Sequence, residues 1–122
     1  MPKKPVPHKL EMPVVGLNHR MTASTRRLLE SSVQKGPISL TLQREPDNLR
    51  DENAIKVILS EAPYKGMHIG YLPRTTAALL APAWDSNQIS DLGGMLTDVD
   101  VHNGEAVMLL QFKGAVKMKV QS

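Results

Sequence analysis

The sequence has 122 residues, no cysteine, 41% hydrophobic but only 3% aromatic residues, and a net charge of +3. That length suits one domain and excludes a second core of comparable size, while the missing cysteines exclude disulfides and thiolate chemistry, whether nucleophilic or zinc-binding. With so few rings, Leu, Ile, Val, Met and Ala must fill the core, and the small positive charge permits attraction to a polyanion without requiring it.

Residues 1–12 carry Lys3, Lys4 and Lys9 among Pro2, Pro5 and Pro7. They contain no apolar run of the kind a signal peptide or membrane span needs, which points to a soluble, cytoplasmic protein without a membrane partner. Prolines lack a backbone donor, so this stretch reads as a flexible arm ahead of a folded domain over 13–122. Residues 12–17 form an apolar first strand ending near Gly16, with Asn18, His19 and Arg20 at its exit. Thr22 or Ser24 is placed to cap a helix; Leu28, Leu29 and Val33 follow at helical spacing until Gly36 and Pro37, predicting a helix over 24–34.

Ile38, Leu40 and Leu42 alternate with Ser39, Thr41 and Gln43, the period-two pattern of a half-buried strand. The charged segment 44–52 contains Pro46, Asp47, Asn48 and Asp51, all turn formers, and an apolar strand over 54–59 completes a hairpin with a long connection. A second turn leads to a short strand over 67–72 containing Gly70 and Tyr71, closed by Pro73. Thr75 or Thr76 then caps a second helix running through Ala81, where Pro82 limits it and leaves Trp84 as a plug near the barrel end. Gly93 and Gly94 open the last section. Alternating strands over 95–101 and 106–112 flank an Asn103-Gly104 signal for a two-residue hairpin turn. About six short strands and two short helices, with little helix between sequential strands, make the fold mainly β and favour a small antiparallel barrel. Loops at one rim are then the natural place for a ligand.

Two stretches carry a more specific signal: LQREPDNLRDENAIKV from Leu42 to Val57, and IGYLPRTTAALLA from Ile69 to Ala81. With the upstream Val14, Val15, Gly16 and Leu17, they resemble the HIRAN domain family, in the manner of a stand-alone bacterial or phage-type member. The resemblance implies a modified barrel related to OB-like and SH3-like shapes, and a role in gripping the 3′ end of single-stranded DNA during repair or processing, with a helicase or nuclease as partner. Carried over position by position, Asp51 matches the acidic residue that receives the terminal 3′-hydroxyl. Asn18 and His19 match the polar and aromatic pair after the opening strand, Arg50 stands where a base-stacking ring can occur, and Arg74 matches a backbone-binding base. Arg20, Arg44 and Tyr71 complete the implied nucleic-acid rim. His19 and Arg50 depart from the larger rings of DNA-gripping members, so stacking falls to an imidazole and a guanidinium plane.

Each of these residues has a plainer role open to it. Asp51 and Asn53 are able to bond their own turn, Arg44 to hold that turn by pairing with Asp47 or Asp51, Gly70 and Pro73 to serve as strand-end devices, and Tyr71 to be a barrel residue. His8, His19, His68 and His102 lack the close spacing of local metal ligands. No nucleophile elbow and no phosphate-cradling Gly-rich loop occurs. The sequence therefore argues for a binding module without cofactor or metal rather than an enzyme, and its alternative is a protein-interaction module using the barrel rim or a strand edge.

Overall fold

The computed structural model describes residues 6–17, 21–62, 64–100 and 102–114. In chain order they form β1 (Val6–Pro13), α1 (Ala23–Gln34), β2 (Ile38–Arg44), β3 (Ile55–Leu59), β4 (His68–Tyr71), α2 (Arg74–Asp85), β5 (Ile89–Asp100) and β6 (Glu105–Gly114). All strand pairs are antiparallel, in the order β1-β6-β5-β2-β3-β4. The described residues are mainly β with two helices, as the patterning implies.

The sheet curls until its two edges meet. Val14 N donates to Ala106 O of β6, and the next residue turns to the other edge: Val15 N donates to Tyr71 O (2.8 Å) and Tyr71 N to Val15 O (2.9 Å). Such a seam leaves no room for a side chain at Gly70. A Cβ there would stand 2.4 Å from the Val15 carbonyl oxygen and 2.7 Å from Val14 Cγ1. Gly70 is thus a close-approach glycine, not the strand-end device expected of it.

The core is aliphatic. Ile38, Leu40 and Leu42 of β2, Ile55, Val57 and Leu59 of β3, and Met108 and Leu110 of β6 point inward at period two, with Phe112 the one buried ring among the described residues. Leu29 seals α1 against β5, and Ala77, Leu80 and Ala81 do the same for α2. Trp84 is half-buried against this core. Among the described residues no helix is long and apolar enough to cross a membrane.

Four expectations change. The first strand begins at Val6, within the segment expected to be a flexible arm, and pairs with β6 from Val6↔Gly114 to Pro13↔Val107. Successive N–H groups of a strand alternate between its neighbours. Because Val14 addresses β6 and Val15 the other side, Pro7 and Pro13 fall on the outward-facing register of an edge strand, where a missing N–H breaks no ladder bond. Second, α2 continues through Pro82 to Asp85; the buried Ala83 beyond it and the bonds from Ser86 N and Oγ to the Pro82 carbonyl hold the last turn. Its N-cap is Pro73, two residues before Thr75 and three before Thr76, the expected caps. At α1, by contrast, Thr22 Oγ1 accepts from Thr25 N (3.2 Å), as expected of one of the two candidate caps.

Third, Gly93 and Gly94 lie inside β5, whose register shifts between Ser90 and Gly93 and again between Leu96 and Asp98. These bulges let a long strand bend around the core. Fourth, the last strand pair of the final hairpin is Asp100↔Glu105, too far apart in sequence to flank a two-residue turn. Gly104 has a φ of 64° but Asn103 does not adopt a positive φ, so a type I′ turn is ruled out. Asp100 instead caps the loop, accepting from the backbone N–H groups of His102 and Asn103.

Candidate functional site

The β2–β3 connection, residues 45–54, is built as a rigid loop. Asn48 Oδ1 accepts from Arg50 N (2.8 Å) and Asp51 N (3.0 Å), an Asx-type turn. Asp51 Oδ1 accepts from Asn53 N (3.0 Å), and Glu45 N pairs with Ala54 O across the loop base. Arg44 clamps the loop from behind: Nη1 donates to Ala54 O (2.9 Å), Nη2 to Glu52 O (3.0 Å), and Nε and Nη2 grip both carboxylate oxygens of Asp85 (each 3.0 Å). Its partner is therefore Asp85 at the end of α2, not Asp47 or Asp51, and the fork holds the Asp85 carboxyl below its ordinary range.

Glu45 is the hub the sequence did not single out. Its Oε1 accepts from Tyr71 OH (2.9 Å) and Asn48 Nδ2 (2.6 Å), and its Oε2 from Lys56 Nζ (2.8 Å). The Lys56 hydrogen bond leads these interactions in holding its pKa down at about 2, against the smaller opposing effect of burial, and Glu45 in turn raises that of Lys56. The Tyr71 and His68 rings meet nearly at right angles, their centroids 4.8 Å apart, while His68 Nε2 donates to Gly70 O (2.8 Å). The Arg-Glu-Pro motif did contain a signal for Glu45, since a carboxylate beside a turn is commonly a local acceptor. Nothing in the sequence pointed to Asp85 or Lys56.

Where this loop meets the seam, a hollow of about 300 Å³ opens, lined by Val15, Asn48, Arg50, Asp51, Tyr71 and Arg74. Asp51 is mostly covered, its side chain 20% exposed, and its Oδ2 faces Arg74 Nε at 3.7 Å. Arg74 is 76% exposed and donates from Nη2 to Arg50 O (2.7 Å). The exposed Arg50 guanidinium makes no hydrogen bond or ion pair among the described residues. Of the sequence candidates, Arg50, Asp51, Tyr71 and Arg74 therefore converge on one hollow. Arg44 stands behind them with four donor contacts already made. Asn18, His19 and Arg20 lie outside the described residues. Among the described residues no group of His, Asp or Glu is arranged to hold a metal ion.

Chemically, the hollow offers a carboxylate that only accepts hydrogen bonds, two cationic forks and a polar rim around small apolar patches. A closed, curled antiparallel sheet with such a rim defines a small β-barrel recognition module. The comparisons narrow the class: the model of the HIRAN domain matches residues 8–116, and the chain belongs to the HIRAN domain family. The crystal structure of the HIRAN domain of human HLTF superposes with a TM-score of 0.66 at 26% identity, over 91% of this chain and 80% of that one. An NMR structure of the HLTF HIRAN domain in its DNA-bound conformation gives 0.60 at 24%, over 90% and 79%. A protein from Lactobacillus plantarum also gives 0.60, at 22% and over 90% and 98%. In sequence the chain is 41% identical over 64 residues to a Fanconi-associated nuclease 1 homolog of Oryza sativa subsp. japonica and 35% over 68 residues to that of Arabidopsis thaliana. These matches cover 52% and 56% of this chain but 6% and 7% of the plant proteins.

Proposed function

We propose that this domain is a DNA-binding module that seats the 3′-hydroxyl end of a single strand in the hollow between the β2–β3 loop and the barrel seam. One observation carries the reading: Asp51, an acceptor held by its own turn, lies beside the exposed guanidinium of Arg74 and the uncommitted one of Arg50. A terminal hydroxyl donates to a carboxylate, whereas a terminal phosphate brings like charge against it. The two arginines take the internal phosphates, and Arg74 exchanges its loose contact with Asp51 for a charge-assisted bond to the strand. The DNA-bound HLTF domain shares the fold, and the repair-associated names of the relatives suggest the same setting, with a helicase or nuclease acting on the strand this module holds. Asn18, His19 and Arg20 join the proposed interface on the family resemblance alone, and Arg44 serves it by bracing the loop.

The test is a titration of single-stranded oligonucleotides ending in a 3′-hydroxyl or a 3′-phosphate. The free end should bind roughly tenfold more tightly, and Asp51→Asn, which keeps size and one acceptor but removes charge, should shrink that ratio towards one while lowering free-end affinity only modestly. Equal binding of both ends by the wild type, or an unchanged ratio in the mutant, refutes end recognition.

Salt dependence tests the phosphate contacts separately. Arg50→Ala and Arg74→Ala should each weaken binding and reduce the slope of log K against log salt by about 0.7, the value for one single-strand phosphate. Both side chains are exposed, so circular dichroism should stay native. Unaltered slopes in both variants would remove these arginines from the interface.

A further inference from the structure

We propose that Leu49 is a base-contacting finger, packing its side chain on the base next to the terminal nucleotide; the inference rests on the DNA reading above. Leu49 is 102% exposed, more than any other large apolar side chain described. A single exposed leucine is ordinary on a flexible surface, but this one stands on a loop that cannot retract it. Its neighbours on either side are tied down: Asn48 by Glu45 and by the Arg50 and Asp51 amides, Arg50 by a hydrogen bond from Arg74 Nη2 to its carbonyl.

The position is as informative as the exposure. Asn48, Arg50 and Tyr71 form a ridge shared by the terminal hollow and by a second trough of about 630 Å³, and Leu49 lines only the second. A strand whose end sits beside Asp51 adjoins that trough. In it Lys56 is paired with Glu45 and Arg44 with Asp85, leaving Asp47 against Arg50 on the shared ridge, so it holds no surplus of positive charge to draw in a phosphate backbone. A base, uncharged and flat, is the part of the nucleotide it accepts. Each recess then has one accessible apolar contact, Val15 (46% exposed) for the terminal residue and Leu49 for its neighbour. In a rim with few exposed rings, an aliphatic side chain held in place takes the part that a stacking ring plays elsewhere.

Apolar contact releases no counterions, which separates Leu49 from the arginines. Leu49→Ser should lower single-strand affinity roughly three- to tenfold at every salt concentration, without changing the salt slope or the ratio between 3′-hydroxyl and 3′-phosphate ends. An oligonucleotide abasic at the position before the terminal one should weaken the wild type by a similar factor and cost Leu49→Ser nothing further. If Leu49→Ser binds like the wild type, or loses its factor equally on intact and abasic strands, the finger does not touch that base. Leu49 then becomes the better candidate for contact with a protein. If the wild type binds no oligonucleotide at all, the DNA reading fails and this inference with it.

Discussion

Gly70→Ala should lower stability by about 3 kcal/mol, the upper part of the range for overpacking, and the melting temperature by roughly 10 °C. The added methyl would meet backbone, the Val15 carbonyl oxygen at 2.4 Å, so no side-chain rotation relieves it. The seam itself must open. With it go the paired hydrogen bonds between Val15 and Tyr71, the only ladder joining the two ends of the sheet among the described residues. Since both residues also line the terminal hollow, DNA affinity should fall in the fraction that remains folded. Thermal denaturation followed by circular dichroism checks the stability, and binding measured well below the transition checks the site. A melting temperature within 2 °C of the wild type, a margin set well below that expected shift, would show that the seam is not what closes this barrel.

Glu45→Ala should cost about 2 kcal/mol, because it strips three donors of their acceptor at once while Tyr71, Asn48 and Lys56 stay partly covered. Glu45→Gln keeps an acceptor oxygen and should recover about half of that loss. Acid titration separates the charge from the hydrogen bonds. The Glu45 pKa is about 2 in the fold against an ordinary 4.5, so the folded state binds the proton less readily than the unfolded chain. Its contribution is complete above pH 4.5 and is lost as the pH falls through about 2. Asp85, lowered by Arg44, acts with the same sign. Urea denaturation between pH 5 and pH 2 should therefore show the wild type losing stability more steeply than Glu45→Gln. Parallel curves would mean that the Lys56 pair contributes nothing beyond its neutral hydrogen bonds. The raised Lys56 is the same ion pair viewed from its other member and adds no second increment.

Both variants also bear on recognition. Glu45 orients Tyr71 and Asn48 without lining the terminal hollow itself, and Asn48 in turn turns the Arg50 and Asp51 amides inward. Loss of Glu45 should thus loosen the loop that presents Asp51, weakening the discrimination between hydroxyl and phosphate ends alongside stability. Asp51→Asn, by contrast, should alter discrimination with little change in melting.

Local patterning settled much about this protein. Period-two alternation marked β2 and β6, an apolar run marked β3, helical spacing with Thr22 in front marked α1, and the Leu42–Val57 motif located a structured loop and, through it, the family. Each of these is a signal between near neighbours, and each reflects a face that must be buried or a turn that must be capped. What lay beyond the sequence depended on the barrel closing. Pro7 read as part of an unpaired arm until the register placed it, with Pro13, on the outer side of an edge strand. Arg44 reaches Asp85 across 41 residues and Tyr71 reaches Glu45 across 26. Gly70 shows its purpose only when Val14 and Val15 press against it. A sheet that curls onto its own edge brings together residues with no spacing in common, and it is that closure, burying one apolar face all round, that selects which charges meet and where the hollow opens.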